Sequence, residues 1–350
     1  MKSEYIIGIE SSCDETSIAI LKDNEVILSN VISSQIETHQ KYGGVMPEIA
    51  SRLHVENIGY VLNTALKEAN IDSTLISAVA VCGGPGLIGG LQIGMICAKT
   101  LAMFYNVPLI YVHHLAGHIY ANEFAKSMTF PLLAVVVSGG NSELVIMRDH
   151  LDFNIIGETQ DDAIGESFDK VARMLDLPYP GGVSIDKLCK DHTKAVIDLP
   201  KPKVDGYNLS YSGIKSCLAR MISKLKEEGK LDSEKVEEIA CSAEHAFVDQ
   251  LLSKIKKAAK DYAVKQIIVG GGVSANSYLR SKIQEEFNDK YDIVLPPLWC
   301  TTDNALMIAK VGHYMLKKGY ISSYSACSKA NLSLEKYYKD LASNEGGNDK

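Results

Sequence analysis

The sequence has no long apolar run and no pair of cysteines at CxxC spacing. Its N-terminal apolar run is very short and lies between Glu4 and Glu10, which is not the pattern of a signal peptide, and no stretch approaches the roughly 20 apolar residues that span a bilayer. The eight cysteines are scattered, which excludes a zinc ribbon or a thioredoxin-like redox motif and predicts reduced, mostly buried thiols. We therefore expect a cytoplasmic protein without a membrane partner.

The chain also lacks an excess of positive charge, since 36 Lys and Arg stand against 43 Asp and Glu, a net charge of −7. A global basic field is absent, so an RNA partner must be bound by a local patch. Hydrophobic residues make up 46% and charged residues 23%, which is typical of folded globular proteins and excludes disordered, collagen-like and coiled-coil chains. A length of 350 residues predicts two domains or two large lobes, at roughly 100–200 residues per domain.

Two local patterns each occur twice along the chain. An apolar run, a polar turn and a second apolar run span residues 5–21, and the same succession spans 132–147. An apolar run that enters a glycine-rich turn spans 78–86, and a similar one spans 266–273. These patterns are typical of strands and tight turns, and their recurrence indicates an internal duplication.

Amphipathic helices separate these strands. The clearest has apolar residues at helical spacing over 47–66 and begins at a proline. Strands that alternate with helices, twice over, predict an α/β fold of two similar lobes with a ligand cleft between them. We expect an N-terminal lobe at 1–128, a C-terminal lobe at 129–330 and a polar C-terminal tail at 331–350. Further helices are predicted at residues 90–105, 113–126, 163–176, 233–260, 276–288 and 303–317.

Two histidines have the spacing of a metal site. His114 and His118 are four residues apart, so on a helix both imidazoles point the same way and can hold one divalent ion. A zinc peptidase of the HExxH type needs a glutamate after the first histidine, and Leu115 occupies that position. Asp303, where a helix is predicted to open, is the best candidate for a third ligand, and this set suits iron or zinc. The alternative is histidines that pack within a helix and an aspartate that caps one.

Glycine-rich turns offer a second kind of site. Ser138-Gly139-Gly140 follows a predicted strand and Gly270-Gly271-Gly272 precedes a predicted helix. Their backbone N–H groups can approach a phosphate because no Cβ intervenes. GxxxxGK[ST] is absent, as is a GxGxxG after the first strand, so P-loop and dinucleotide-binding folds are disfavoured. Tight structural turns are the equal alternative.

Residues 187–226 carry nine basic residues against three aspartates, a local balance of +6. Tyr207 and Tyr211 lie among them, a mixture suited to RNA phosphates and unpaired bases. We expect a helical, basic insertion suited to bind RNA, with a merely solvated insertion as the alternative. The basic residues are Lys187, Lys190, Lys194, Lys201, Lys203, Lys215, Arg220, Lys224 and Lys226.

The chain resembles the tRNA N6-adenosine threonylcarbamoyltransferase family, once labelled glycoprotein endopeptidases, over roughly residues 4–320. Nine motifs in order carry the resemblance: GIESSCDET (8–16), GGVMPEIASRLH (43–54), GGPGLIGGLQIG (83–94), HHLAGH (113–118), SGGNSEL (138–144), DDAIGESFDKVARML (161–175), YPGG (179–182), GGVSAN (271–276) and CTTDNALMIA (300–309).

The resemblance implies the duplicated actin/Hsp70/sugar-kinase fold. It also implies transfer of the threonylcarbamoyl group from threonylcarbamoyl-adenylate to N6 of the adenosine 3′ of the anticodon, in tRNAs that read codons beginning with A. One divalent metal, usually iron with zinc as the alternative, would be held by His114, His118 and Asp303. The implied partners are tRNA, a paralogue of the same fold and a small ATPase. The implied adenylate site consists of Val136, Val137, Ser138, Gly139, Gly140, Asp169, Gly182, Asp186 and Asn276.

Three other functions stay open from the sequence. A small-molecule kinase of the same fold would share the lobes and glycine-rich turns without needing the histidine pair. A metallopeptidase is weakened by Leu115. A noncatalytic tRNA-binding scaffold would leave the metal ligands idle. The residues identify no general base, and the contribution of Asn141, where bacterial members often have histidine, is not assigned.

Overall fold

The computed structural model describes residues 3–190 and 197–345, which form two compact units. Lys194 of the predicted basic insertion and the last five residues of the predicted tail lie outside the described residues. The first unit comprises Met1–Phe124, Asp149–Phe153 and Thr302–Lys350, and the second comprises Ala125–Arg148 and Asn154–Thr301. The predicted lobe limits differ from these units chiefly because the chain returns to the first unit at Thr302.

Within the described residues the chain forms ten β-strands and eleven α-helices. The strands are β1 (Tyr5–Glu10), β2 (Glu15–Lys22), β3 (Val26–Ser34), β4 (Ala78–Gly84), β5 (Leu109–His113), β6 (Leu132–Val137), β7 (Ser142–Met147), β8 (Phe153–Glu158), β9 (Gln266–Gly270) and β10 (Asp292–Val294). The helices are α1 (Ile36–Gln40), α2 (Pro47–Ala69), α3 (Ile88–Tyr105), α4 (His114–Tyr120), α5 (Ile164–Met174), α6 (Gly181–Cys189), α7 (Ser212–Glu227), α8 (Ser233–Asp261), α9 (Ser277–Phe287), α10 (Ala305–Lys317) and α11 (Leu334–Glu345).

The first unit is built on a five-stranded sheet in the order β3-β2-β1-β4-β5. β1 pairs antiparallel with β2, placing Ile7 opposite Ile20, and parallel with β4, placing Ile7 beside Val79. The central strand β1 is apolar from Tyr5 to Ile9, as suits a strand with both faces covered. One face packs with α2 and α3, and α10 lies against the other, where an added Cβ on Gly8 would overlap the Ala305 carbonyl oxygen.

The second unit repeats this topology, with its sheet in the order β8-β7-β6-β9-β10. β6 pairs antiparallel with β7 and parallel with β9, as β1 does with β2 and β4. Leu133, Val135 and Val137 point to one face of the sheet and join a core that includes Phe168 of α5 and Phe247 of α8. The two equivalent sheets confirm the internal duplication that the sequence predicted.

The cysteine prediction is wrong at one pair. Cys189, the last residue of α6, forms a disulfide with Cys241 of α8. Both residues are buried. A scattered pair 52 residues apart carries no sequence signal, because only the packing of α6 on α8 brings the two side chains together.

Several predicted elements differ at their ends. The helix expected at 113–126 is the shorter α4, because His113 still belongs to β5 and a 3₁₀ turn follows at Ala121–Phe124. The tail expected at 331–350 contains α11, whose Leu334 and Tyr338 are buried and hold it against the first unit. β3 was not predicted, and in the structure its Val26 and Ile27 are exposed.

Helix α3 is the one described segment long and apolar enough, by length and composition, to cross a membrane. Its mean hydropathy over 18 residues is 1.3, and 39% of that window is buried. The buried side, including Met95, Ala98 and Leu101, packs in the core of the first unit. Ile96 and Phe104 are exposed, so the helix also presents apolar surface.

Candidate metal centre and nucleotide loops

The junction between β5 and α4 places two histidines on a short buried helix. His113 caps α4, its Nδ1 accepting the Leu115 backbone N–H at 3.2 Å, while its Nε2 donates to the Leu332 carbonyl oxygen at 3.1 Å. Burial lowers the pKa of His113 to about 3, so this ring is neutral. His113 is therefore structural, and the following turn of helix carries the functional pair.

His114 and His118 both lie close to Asp303, the candidate third ligand. Their Nε2 atoms lie 3.5 Å and 3.2 Å from the same Asp303 oxygen, Oδ1. The three candidate ligand atoms all lie within 4.8 Å of one another, and all three residues belong to the first unit. The His118 side chain is 1% exposed, whereas that of Asp303 is 16% exposed, so solvent reaches the cluster from the aspartate.

Asp303 does not cap helix α10, which was the alternative role for this residue. The cap of α10 is Asn304, whose Oδ1 accepts the Met307 backbone N–H at 3.2 Å. The Asn304 Nδ2 donates to the Thr302 carbonyl oxygen, which closes the loop around Asp303. The Asp303 carboxylate is thus left to the two histidines.

A residue that the sequence reasoning missed orients His114. Glu10, the last residue of β1, is fully buried, and its Oε2 lies 3.1 Å from His114 Nδ1. Its Oε1 accepts the Ser12 backbone N–H at 2.6 Å. The carboxylate can only accept, so Nδ1 carries a hydrogen and Nε2 is the His114 nitrogen that faces Asp303. The only available signal was the place of Glu10 at the start of the GIESSCDET turn.

The carboxylates and imidazoles of this cluster shift one another's pKa values toward the charged forms. Burial by itself would lower the pKa of His114, but the nearby Asp303 and Glu10 carboxylates raise it. Burial likewise would raise the pKa of Asp303, but the charge of His114 and the hydrogen bond from His118 lower it. A buried anion beside two imidazoles is the environment that a divalent cation requires.

The donor set fits a metal ion. Two imidazole nitrogens and one carboxylate oxygen leave coordination positions open, as a Lewis-acid site needs. His118 Nδ1 is buried and has no hydrogen-bond partner among the described residues, whereas its Nε2 faces Asp303 at 3.2 Å. A second group, Glu10, Cys82 and His114, is also close enough to hold an ion. Burial raises the pKa of the Cys82 thiol well above its usual range, which disfavours its use as a thiolate ligand.

In the second unit the predicted phosphate turn lies between β6 and β7. Val136 and Val137 end β6 in the buried sheet, and Ser138–Asn141 form the turn. The Ser138 backbone N–H donates to the Asn141 carbonyl oxygen at 2.9 Å, and the Asn141 N–H donates to Ser138 Oγ at 3.2 Å. An added Cβ on Gly139 or Gly140 meets no described atom within 4 Å. Hydrogen bonds close this turn, and space lies in front of its glycines.

The other predicted adenylate residues are joined to this turn by the packing of three helices. The first turn of α5 bonds to the turn, because the Gly165 and Glu166 N–H groups donate to the carbonyls of residues 138 and 139. Asp169, further along α5, accepts the Gly181 N–H at the start of α6 at 2.7 Å. Burial raises the pKa of Asp169, and the N–H groups of residues 181 and 182 oppose that shift.

Helix α6 in turn contacts the start of α9. Asp186 Oδ1 accepts from the Ser277 backbone N–H at 2.8 Å and from Ser277 Oγ at 2.5 Å. Asn276 caps α9 through Leu279. Gly271, with φ +97°, packs where an added Cβ would overlap the Val137 carbonyl oxygen. The structure therefore connects all nine predicted adenylate residues within the second unit.

The basic segment is less uniform than its composition suggests. Lys215 pairs with Asp162, and Lys226 pairs with Asp176 at 2.6 Å. Asp161 caps α7 by accepting from the N–H groups of Tyr211 and its neighbour. The described basic side chains that remain exposed in the segment include Lys187, Lys190, Lys201, Lys203 and Arg220.

The fold and the two constellations define an α/β protein of the actin/Hsp70/sugar-kinase type with a metal-ligand cluster. In solved structures, component A of (R)-2-hydroxyglutaryl-CoA dehydratase from Acidaminococcus fermentans matches with a TM-score of 0.55 at 13% identity, covering 91% of this chain and 99% of that one. HypF from T. kodakarensis matches with a TM-score of 0.59 at 11% identity, covering 92% of this chain and 49% of that one. These likenesses show the fold alone.

The chain belongs to the tRNA N6-adenosine threonylcarbamoyltransferase family, whose profile matches residues 26–310. A protein of that name from Bacillus cereus is 47% identical over 338 residues, covering 95% of this chain and 98% of the relative. The proteins of the same name from Anoxybacillus flavithermus and Bacillus subtilis are 48% and 46% identical, over 91% and 96% of this chain and 94% and 97% of theirs. The resemblance drawn from the motifs is confirmed.

Proposed function

We propose that this chain transfers the threonylcarbamoyl group from threonylcarbamoyl-adenylate to N6 of the adenosine 3′ of the anticodon in tRNA. The observation that carries the proposal is the family membership over 95% of the chain, together with the convergence of His114, His118 and Asp303. In the reaction the bond from the carbonyl carbon to the phosphate oxygen breaks, the bond to N6 forms, AMP leaves and N6 loses a proton.

The metal centre would be held by the Nε2 atoms of His114 and His118 and the Asp303 carboxylate, with iron preferred over zinc. When bound, the ion supplies positive charge that stabilises negative charge on the carbonyl and phosphate oxygens. Glu10 would keep the hydrogen of neutral His114 on Nδ1, which leaves Nε2 for the ion, and His118 is buried beside it. The chain's own contribution is thus a rigid, pre-formed set of donors.

The adenylate would be bound by the second unit. The turn of Val136–Gly140 offers backbone groups to the phosphate, and the space in front of Gly139 and Gly140 admits it. The Asp169 carboxylate is suited to accept ribose hydroxyls, with Gly182, Asp186 and Asn276 around them. The adenine amine of tRNA is a poor nucleophile because its lone pair is delocalised into the ring, so most of the rate should come from holding the donor in one orientation.

Partners are proposed from two surfaces. The exposed basic residues of 187–226 would contact tRNA phosphates. The apolar residues exposed on α2 and α3, among them Tyr60, Ile96 and Phe104, would contact a paralogue of the same fold, and a small ATPase would complete the cytoplasmic assembly.

The proposal is tested by reconstitution. Purified protein is incubated with tRNA, threonine, bicarbonate, ATP, an adenylate-forming enzyme and the partner proteins, and the digested tRNA is analysed by mass spectrometry. We expect threonylcarbamoyladenosine with the parent chain and none with His118→Ala. A parent chain that is fully loaded with metal, binds tRNA and still forms no modified nucleoside would contradict the proposal and favour a scaffold.

A further inference from the structure

A buried carboxylate contacts one residue of the proposed adenylate site and has no role in the function described so far. Glu244, in the middle of α8, is 2% exposed. Its Oε1 accepts from Asn276 Nδ2 at 2.6 Å, across 32 residues of sequence. It lies outside every motif that identified the family.

The Asn276 amide is fixed at both of its ends. Its Oδ1 accepts the Leu279 backbone N–H at 2.8 Å, which identifies that atom as the oxygen because a backbone N–H can only donate. The nitrogen therefore faces Glu244, and one of its two N–H bonds is used there. The other N–H is the donor that remains, so Asn276 is set to donate to an acceptor atom of a ligand.

Three helices meet at this point. Asp186 of α6 accepts from Ser277, beside Asn276, and His245 of α8 stacks on Tyr278 of α9 with ring centroids 4.0 Å apart. Burial, together with the charge of Asp186, raises the pKa of Glu244 to about 7. A buried acid in this position is costly unless its oxygen has a partner. Its partner is the amide that the ligand is proposed to contact.

We propose that Glu244 is the positioning residue for Asn276: by accepting one Nδ2 hydrogen it directs the other at an acceptor atom of the nucleotide. The inference rests on the proposed adenylate site. Since the role is that of an acceptor, glutamine can replace Glu244, because its Oε1 can accept the same hydrogen. Methionine, which has a similar length and no carbonyl, cannot.

The experiment compares Glu244→Gln, Glu244→Met, Asn276→Ala and the Glu244→Met/Asn276→Ala double variant. Asp249→Ala, an exposed acid on the same helix, is the control. Affinity for adenylyl imidodiphosphate is measured by calorimetry, thermal unfolding checks the fold, and steady-state kinetics give KM for the adenylate and kcat separately. A thioether at Glu244 preserves the packing volume and removes a buried charge, so we expect the variant to fold.

We expect Asn276→Ala and Glu244→Met each to weaken binding about three- to tenfold, the range of one net hydrogen bond. Glu244→Gln and Asp249→Ala should bind like the parent. The double variant should be no weaker than Asn276→Ala alone, because Glu244 acts through that amide. The loss should fall on KM more than on kcat.

Two results would overturn the inference, and they are distinguishable. If Asn276→Ala weakens binding while Glu244→Met does not, or if the two losses add, Glu244 does not act through Asn276. If Asn276→Ala binds the nucleotide like the parent, the adenylate site itself is wrongly assigned, and the inference fails with it.

Discussion

The turns that follow the first strand of each sheet occupy equivalent places in the duplicated topology, yet they carry opposite chemistry. In the first unit, β1 ends in the buried carboxylate of Glu10, which is bonded to Ser12 and His114. In the second, β6 ends in a turn whose Gly139 and Gly140 have only space in front of them. The first turn presents a side chain that other side chains surround, whereas the second exposes the Cα positions of its glycines and is bonded to α5 on another side.

This difference teaches how one fold supports two kinds of binding. A cation is held by side-chain donors whose orientation must be fixed from behind, so its turn is filled with partners. A phosphate is held by backbone N–H groups that must be approached closely, so its turn needs glycine and room. Substitutions should therefore weaken binding for different reasons in the two turns: loss of a side-chain donor or its partner in the first, and loss of space in the second.

The largest effect is expected at the metal ligands. His114→Ala or His118→Ala removes one of three donors and should abolish both metal binding and transfer while the fold persists. Elemental analysis of the purified variants and mass spectrometry of digested tRNA check the two outcomes. His150→Ala, a histidine of the same unit outside the cluster, is the control, and full metal occupancy in both ligand variants would refute the assignment.

The next largest effect is expected at Glu10, whose carboxylate accepts from His114 Nδ1 and so orients this proposed metal ligand. Glu10→Gln replaces the charged acceptor of His114 Nδ1–H with a neutral amide and should weaken metal affinity about 10- to 100-fold, as loss of such outer partners does. Competition with a chelator of known affinity measures this without an activity assay. Glu25→Gln, an exposed glutamate near the same sheet, should retain the parent affinity. Equal affinities in the two variants would show that Glu10 serves only packing.

A smaller effect is expected at Gly139, where the second turn acts through backbone. Gly139→Val should fold, since an added Cβ meets no described atom, but its branches would occupy the space that the phosphate needs. We expect nucleotide affinity to fall roughly tenfold, equivalent to about 1.4 kcal/mol. Calorimetry is the measurement. Gly213→Val, equally open but on α7, is the matched control, and parent-like affinity for Gly139→Val would move the phosphate elsewhere.

The smallest effect is expected on the basic segment, whose exposed side chains are proposed to contact tRNA and not the metal or the nucleotide. Replacing Lys201, Lys203 and Arg220 by alanine should reduce the log–log salt slope of tRNA binding by roughly two to three, about one counterion for each phosphate contact. Transfer at saturating tRNA should survive. Lys226→Ala is the control, because that side chain is already paired with Asp176. An unchanged slope in the triple variant would make the segment a solvated insertion.

Pattern and motif in the sequence predicted much of this molecule. The apolar runs in β1 and β6 identified strands, and their recurrence identified the duplication. The spacing of His114 and His118 sufficed to place both on one side of a helix, because helical geometry is local. Asp303 was found as well, although it lies before α10 and is not its first residue.

Other features depended on packing and left no local signal. The bond of Cys189 to Cys241 joins two helices that the periodicity treats separately. The composition of the segment counted Lys215 as a free cation, but in the structure it pairs with Asp162. Composition counts charges along a segment, whereas only the fold decides which of them are neutralised.

The sequence by itself determined the alternation of strands and helices, the family and the types of ligand, because these follow from periodicity and from residues close together in the chain. Only the tertiary structure decided which side chains hydrogen-bond to the proposed ligand-binding residues. Glu10 meets His114 across 104 residues because β1 and β5 flank β4 in one sheet, and Glu244 meets Asn276 because α8 packs on α9. Such contacts arise from the order of the sheets and the packing of helices, which no local pattern encodes.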